Sequence, residues 1–154
     1  MLHVVLIEPE IPPNTGNIGR LCLATGSVLH LVGPLGFSLD EKSLRRAGLD
    51  YWKDVELRLW DRFEDLEAEA GKAESSAEFY FLTTKTDYPY WNAKFTDGDY
   101  LVFGSETRGI PESLLKRHSE NCLTIPQESG RSLNLATSVG IVLFEAVRQQ
   151  NASF

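Results

Sequence analysis

The run LHVVLIE, residues 2–8, decides the fold class of this 154-residue chain. Its apolar residues are nearly continuous and rich in β-branched side chains, which is the pattern of a strand buried on both faces of a sheet. Comparable runs follow at 28–33, 78–83 and 99–104, and weaker ones at 55–60 and 122–125. Strands of this kind are typical of a parallel sheet that helices cover on both faces.

Segments with helical character alternate with these strands, at 17–25, 41–47, 61–71, 111–118 and 132–150. Asn14 or Thr15 is predicted to cap the first of these helices, and Ser132 the last. The alternation predicts an α/β fold, a parallel sheet sandwiched by helices, formed by a single domain over residues 1–154. In such sheets ligands bind beside the loops that leave the carboxyl ends of the strands.

The composition is that of an ordinary globular protein, with 42% apolar and 24% charged residues. No apolar stretch is long enough to span a bilayer, and the first residues, MLHVVLIEPE, lack the basic start and small-residue cleavage site of a signal peptide. We therefore expect a cytoplasmic protein without a membrane segment. The net charge of −7 argues against nonspecific binding to nucleic acid, but it leaves room for a local basic patch.

One such patch is predicted at Lys42, Arg45 and Arg46, whose i, i+3 and i+4 spacing places them on one face of a short helix. Two interpretations stay open. The three side chains form a solvated helix end, as charge runs usually do, or Arg45 and Arg46 bind phosphate groups of RNA.

The cysteines and histidines show no metal-ligand pattern. Cys22 and Cys122 lie in apolar surroundings without a second ligand at a suitable spacing, which predicts buried free thiols. His3 and His30 lie within strand-like runs and are predicted to be structural. The sequence therefore predicts no metal site.

Three loops rich in glycine and small polar residues follow apolar strands. The first, at 9–20, lacks the G-x-G-x-x-G turn of a dinucleotide-binding fold, and the second strand ends in Val-Gly-Pro rather than in an acid for a cofactor ribose. The other two are FGSETRGIPESLL at 103–115 and TIPQESGRSLNLATSVG at 124–140. Together they predict one ligand cleft built from backbone donors and small residues.

Four segments also give the chain a family resemblance: EPEIPPNTGNIGRLC (8–22), LRRAGLDYW (44–52), FGSETRGIP (103–111) and IPQESGRSLNLATSVGIVLFEAVRQ (125–149). In this order they resemble the SPOUT superfamily of RNA methyltransferases, and within it the tRNA (cytidine/uridine-2′-O-)-methyltransferases of the wobble position. The resemblance implies an α/β fold with a C-terminal trefoil knot, S-adenosylmethionine bound among the knotted loops, and the anticodon loop of tRNA as substrate.

The resemblance assigns individual residues as well. It implies contacts with S-adenosylmethionine at Leu82, Thr83, Gly104, Glu106, Gly109, Ile125, Ser132 and Leu133. Asn14, Arg20 and Asn134 would face the reacting ribose. For Glu106 a second interpretation stays open, because a loop glutamate is often a cap or an ion-pair partner. The loop at 126–132 is one residue shorter than the family pattern, which changes the adenosine side of the site.

Methyl transfer from a sulfonium depends on positioning, because the donor is already activated and needs neither a metal nor a covalent nucleophile. Arg20 is interpreted as a polarising or phosphate-holding group rather than a base, since the pKa of a guanidinium exceeds about 12. Other classes stay open: a non-catalytic cofactor- or RNA-binding module, a methyltransferase acting on another RNA, and a small-molecule or protein methyltransferase.

The last helix has two apolar stripes. One consists of Leu133, Ala136, Gly140, Leu143, Phe144 and Val147, and the other of Leu135, Val139, Val142 and Ala146. A surface helix needs only one such stripe against its own core. Either this helix is central to the monomer or a second copy covers it. We expect a homodimer through this helix, which the resemblance also implies.

Overall fold

The computed structural model describes residues 1–39, 50–73 and 75–150. In these ranges the strands are β1 (His3–Ile7), β2 (Val28–Val32), β3 (Leu57–Trp60), β4 (Phe79–Leu82), β5 (Tyr100–Phe103) and β6 (Cys122–Leu123). The helices are α1 (Pro12–Thr25), α2 (Phe63–Ala70), α3 (Glu112–Arg117) and α4 (Leu135–Gln149). Every strand expected from the sequence is present, within two residues of its predicted bounds.

The six strands form one sheet in the order β3-β2-β1-β5-β4-β6, and all neighbouring pairs are parallel. Successive side chains of a strand point to opposite faces. Val4 and Leu6 therefore pack in the cluster that holds α1 and α4, while Val5 and Ile7 pack with α2 and α3. This confirms the predicted α/β sandwich and explains why β1 is apolar without alternation.

The start of α1 differs from the prediction that Asn14 or Thr15 caps it. The helix begins at Pro12, after Ile11, which makes no side-chain cap, and Asn14 and Thr15 are buried inside its first turns. Prolines are tolerated at this point, because the first turn of a helix has no internal partners for its N–H groups. The helix is therefore five residues longer than predicted.

The start of α4 also differs, because Asn134 rather than Ser132 caps it. The Oδ1 atom of Asn134 accepts a hydrogen bond from the backbone N–H of Thr137 at 3.1 Å. Both residues are suitable cap types, so the sequence pattern alone could not choose between them. The choice brings Asn134 to the carboxyl edge of the sheet.

The predictions for the cysteines and for two histidines are confirmed. Cys22 and Cys122 are buried free thiols, and burial raises the pKa of Cys22 to about 12. His3 and His30 lie in β1 and β2 and join through a 2.9 Å hydrogen bond between Nδ1 of His3 and Nε2 of His30. Both are therefore part of the scaffold.

Most of the apolar surface of α4 is covered within the chain. Val139, Val142 and Ala146 of the second stripe are buried, and so are Leu143 and Val147 of the first. Leu133, which precedes the helix, and Phe144 remain exposed. Packing within the monomer thus buries three of the four residues of the second stripe, all but Leu135, and part of the first.

Lys42, Arg45 and Arg46 lie outside the described residues, as does the helix predicted over 41–47. The trefoil knot and the single domain over 1–154 stay predictions. Among the helices that the structure describes, none is both long enough and apolar enough to cross a membrane.

Candidate active site

A cavity of about 460 Å³ opens at the carboxyl edge of the sheet. Its walls come from the segments that follow β1, β4, β5 and β6 and from the start of α4. The residues lining it are Ile11, Asn14, Leu82, Thr83, Thr84, Lys85, Phe103, Gly104, Ser105, Glu106, Thr107, Arg108, Gly109, Ile110, Thr124, Ile125, Gln127, Ser132, Leu133, Asn134, Leu135 and Ser138. The volume lies in the range of small-molecule sites, which is about 300–1,000 Å³.

All eight residues that the resemblance assigned to S-adenosylmethionine line this cavity, together with Asn14 and Asn134. Arg20 does not line it. The sequence also left several lining residues unassigned, among them Lys85, whose Nζ atom lies 2.6 Å from Oε2 of Glu112. The signal for Lys85 was its position just after β4, at the edge where ligands bind.

The loop after β5 is a tight turn that only glycine allows at two points. A Cβ atom on Gly104 would lie 2.0 Å from the carbonyl carbon of Gly109, and Gly109 has a φ of +68°. The Gly109 N–H donates to the Ser105 carbonyl at 3.0 Å and closes the turn. Gly104 therefore allows the loop to approach itself closely, and its contact with S-adenosylmethionine stays a prediction.

Glu106 binds the start of α1. Its Oε1 atom accepts from the Glu10 N–H at 2.9 Å, and its Oε2 atom accepts from the Ile11 N–H at 2.9 Å and from Nδ2 of Asn14 at 3.2 Å. A carboxylate is favourable at a helix N-terminus, where backbone N–H groups lack partners and the helix dipole is positive. Glu106 thus caps α1, which the Ile11 side chain cannot do. This is the second interpretation given for Glu106 from the sequence.

Asn14 connects Glu106 to Asn134. Because a carboxylate can only accept, the amide N–H of Asn14 faces Glu106 and its Oδ1 atom is left to accept from Nδ2 of Asn134 at 3.2 Å. Oδ1 of Asn134 in turn caps α4. We call these three residues the Glu106 cluster. It ties the loop after β5 to the starts of α1 and α4 beside the cavity.

Two further contacts hold the loop after β5 against the loop after β1. Oε1 of Glu10 accepts from the hydroxyl of Thr107 at 2.6 Å and from its N–H at 3.2 Å, and these hydrogen bonds lower the pKa of Glu10. The Glu8 carboxylate lies 3.8 Å from the Arg108 guanidinium. Glu8 has a φ of 51°, an unfavourable conformation for a residue other than glycine, where β1 turns into the loop.

Arg20 lies on the exposed side of α1, as does Asn17. Its guanidinium carbon is 5.7 Å from the centroid of the Tyr51 ring, within the range of a cation–π contact. The Tyr51 hydroxyl donates to the Gly16 carbonyl at 2.6 Å. Of the three residues predicted to face the ribose, only Asn14 and Asn134 meet.

Two large apolar side chains that line the cavity, Ile11 and Leu133, are more than one third exposed. Exposed apolar surface in a concave site favours a ligand with an apolar or aromatic part. Within the described ranges, no group of three or more His, Cys, Asp or Glu side chains is arranged to hold a metal ion.

Known proteins resemble this chain over nearly its whole length. It is 47% identical over 154 residues to the tRNA (cytidine(34)-2′-O)-methyltransferase of Burkholderia ambifaria, covering 97% of this chain and 96% of that relative. A solved structure on the 2-OH methylation of C/U34 on tRNA has a TM-score of 0.86 and 47% identity, covering 97% of this chain and 95% of that one.

A more distant solved structure has the same fold in a longer protein. The AdoMet-bound rRNA methyltransferase from Sinorhizobium meliloti has a TM-score of 0.78 and 27% identity, over 96% of this chain and 56% of that one. The model of the SpoU rRNA Methylase family matches residues 1–144. The chain therefore belongs to the SpoU rRNA Methylase family.

Proposed function

We propose that this protein transfers a methyl group from S-adenosylmethionine to the ribose 2′-hydroxyl of the wobble nucleotide of a tRNA. The observation that carries the proposal is that one cavity is lined both by the Glu106 cluster and by the other residues predicted to contact the donor. The names of the relatives support the reaction and the nucleotide. A tRNA substrate also agrees with the cytoplasmic location expected from the sequence.

The donor would lie among Leu82, Thr83, the turn at 104–109, Ile125 and Leu133. This set of residues suits the donor's chemistry, because it combines apolar side chains for an adenine ring with backbone groups for polar edges. When bound, S-adenosylmethionine supplies a methyl group activated by its positive sulfur. The chain's own contribution is then to hold that group in line with the attacking oxygen, and orientation of this kind contributes about 7–11 kcal/mol.

The ribose side would be Asn14 and Asn134. Each amide nitrogen makes one hydrogen bond within the Glu106 cluster and carries a second N–H, which can be directed toward a ribose oxygen. Because both asparagines are held by fixed partners, they would orient the hydroxyl without rearranging. Arg20, exposed on α1, would hold an RNA phosphate, as would Arg45 and Arg46.

We also propose a homodimer through α1 and α4. The two helices pack together, and a Cβ atom on Gly140 would lie 3.7 Å from Cδ1 of Leu21. Leu23 of α1 and Phe144 of α4 remain exposed. A second copy covering them would remove this exposed apolar surface from water, which favours association.

The experiment that tests the reaction incubates the protein with labelled S-adenosylmethionine and bulk tRNA, followed by nuclease digestion and identification of the labelled nucleoside. We expect 2′-O-methylcytidine or 2′-O-methyluridine from the anticodon loop. Label in protein or in a small molecule would assign the enzyme to another class, and donor binding without transfer would leave a non-catalytic module.

Another RNA substrate is the second candidate, because the matching family is described by its action on rRNA. The same incubation with ribosomal RNA fragments separates the two. Preferential labelling of the fragments would favour this candidate over tRNA.

A further inference from the structure

The segment between β4 and β5 exposes two aromatic rings beside the cavity. Trp91 is 53% exposed and Tyr88 is 49% exposed, which places both among the most exposed large apolar side chains of the described residues. Tyr90, between them, packs against the core. We call residues 86–92 the aromatic turn.

The aromatic turn is held rigidly by backbone hydrogen bonds. The Tyr90 N–H donates to the Thr124 carbonyl, and the Thr124 N–H donates to the Tyr88 carbonyl, both at 2.8 Å. The Tyr88 hydroxyl donates to the Asn92 carbonyl at 3.2 Å, and the Tyr90 and Trp91 rings meet edge to face with centroids 5.4 Å apart. The backbone of the aromatic turn is therefore already ordered, so a ligand that binds there loses little affinity to ordering it.

The same contacts join the aromatic turn to the wall of the cavity. Thr124, whose N–H and carbonyl both bond to the aromatic turn, lines the cavity together with the next residue, Ile125. On its N-terminal side the aromatic turn follows Thr83, Thr84 and Lys85, which also line the cavity. The aromatic turn thus adjoins the cavity wall at Thr124 and at residues 83–85, on the side where the donor would lie.

The chemistry of the aromatic turn suits an unpaired nucleobase. Tyrosine and tryptophan rings stack on bases of any sequence, and single-stranded RNA is recognised mainly in this way. Lys94 follows the turn and Lys85, which pairs with Glu112, precedes it, with Asp87 as the one acid between the two lysines. A protein partner fits less well, because a stable interface buries about 800 Å² on each side, far more than two half-exposed rings offer.

We propose that Tyr88 and Trp91 form a stacking platform for an unpaired base of the RNA substrate adjacent to the methylated nucleotide. The platform fixes the register of the RNA, so that the nucleotide beside the stacked base enters the cavity. This inference rests on the proposed function, and it adds a contact that recognises the substrate outside the cavity.

The test compares Trp91→Ala, Trp91→Phe and the control Leu59→Ala on an anticodon stem-loop RNA. Leu59 is 58% exposed on β3, at the opposite edge of the sheet. We expect Trp91→Ala to raise KM for the RNA about tenfold, with kcat and the affinity for S-adenosylmethionine nearly unchanged. Trp91→Phe should recover most of the loss, because it keeps a ring, and Leu59→Ala should behave as wild type.

Tryptophan fluorescence provides a second readout that does not require methyl transfer. Trp52 is buried and Trp60 is hydrogen-bonded to His30, so an RNA base stacking on Trp91 should quench the exposed part of the emission. Trp91→Phe should abolish that quenching. If wild type binds the stem-loop with quenching but transfers no methyl group, the proposed function fails and the platform stands.

Three results would overturn the platform itself. They are an unchanged KM in Trp91→Ala, binding of the stem-loop without quenching, and a loss of RNA affinity that accompanies dissociation of a dimer in sedimentation. The last result would assign the aromatic turn to an interface between copies of the chain.

Discussion

Two hydrogen-bonded clusters of polar side chains lie on the same sheet and have different consequences. The Glu106 cluster lies at the carboxyl edge and lines a cavity. The second, which we call the histidine network, joins His3, His30 and Trp60 and continues by stacking onto Tyr100. It faces α2 and α3 away from the cavity.

The comparison shows that titratable side chains alone do not mark a site. The Trp60 N–H donates to Nδ1 of His30 at 3.0 Å, so His30 has its proton on Nε2 and donates it to His3. Both nitrogens of His30 and the Trp60 N–H are therefore used within the network. In the Glu106 cluster, by contrast, amide N–H groups remain beside an open cavity, and these can act on a ligand.

The largest expected effect comes from breaking the Glu106 cluster at its centre. Asn14→Ala removes the links to both Glu106 and Asn134, so the ribose side loses its orientation. We expect kcat to fall about 100-fold, with the affinity for S-adenosylmethionine largely retained. Stopped-assay kinetics and calorimetric donor titration measure the two quantities.

A double-mutant cycle sharpens this prediction. Because Asn14 and Glu106 act through one contact, the loss in Asn14→Ala/Glu106→Ala should be smaller than the sum of the single losses. Glu69→Ala, at an exposed glutamate paired only with Lys72 in the described chain, is the matched control and should leave kcat unchanged. Additive losses would mean that the two residues do not act as a unit.

The second prediction concerns the turn that holds the cluster in place. Gly104→Ala puts a Cβ atom 2.0 Å from Gly109, so the turn must open, and donor affinity should fall more than tenfold. Gly33→Ala is the control, since its Cβ would make only ordinary contacts, the nearest at 3.6 Å. Calorimetry measures donor affinity, and circular dichroism checks that each variant is folded like the wild type. A folded Gly104→Ala variant that binds the donor with wild-type affinity would contradict the prediction.

The third prediction tests whether the cavity belongs to a dimer. Phe144 is 45% exposed, so Phe144→Glu should leave the fold intact and weaken self-association at least tenfold by burying a charge in the interface. Leu59→Glu, on β3, should not change association. Sedimentation equilibrium measures both variants, and a fully active wild-type monomer would exclude the dimer.

The smallest expected effect comes from the histidine network. Burial, reinforced by the N-terminal charge, lowers the pKa of His3 to about 4, and burial, reinforced by His3, lowers that of His30 to about 3. The unfolded chain takes up these protons near pH 6.5, whereas the folded chain does not. The contribution of the two histidines to the free energy of unfolding is therefore complete above that pH and is lost as the pH drops toward 4.

His30→Gln isolates this contribution, because glutamine can accept from Trp60 and donate to His3 but does not titrate. Between pH 6.5 and 5 the stability of the variant should fall less steeply than that of wild type, by at most about 1.4 kcal/mol per pH unit. Urea unfolding at several pH values measures the slopes. Equal slopes would show that His30 is protonated alike in the folded and unfolded states.

The fold was predictable from the sequence because strands buried on both faces carry their signal locally. LHVVLIE at 2–8 and DYLVFG at 99–104 are mostly apolar, and the two strands they contain pair with each other in the sheet. The helix starts were harder, because a cap need not come from the adjacent residues. The carboxylate at the start of α1 comes from Glu106, which lies 95 residues from Ile11.

The functional site also has a part that the sequence predicts and a part that it does not. Motif resemblance found ten of the residues lining the cavity, because the quoted motifs contain glycines and asparagines that lie at its wall. It could not show that Glu106 turns toward α1 or that Arg20 lies over Tyr51, because both depend on which loops meet in space. The sequence did not predict the aromatic turn, because exposed and buried aromatic residues cannot be told apart from the sequence of this segment alone.

The central claim is that the Glu106 cluster positions a ribose hydroxyl rather than a base. The most direct test offers the enzyme two anticodon stem-loops that differ only in the 2′ position of the wobble nucleotide, one with a hydroxyl and one with hydrogen. The account predicts methyl transfer to the first and none to the second, with similar binding of both. Methylation of the deoxy substrate would contradict it, because the methyl group would then be going to another atom.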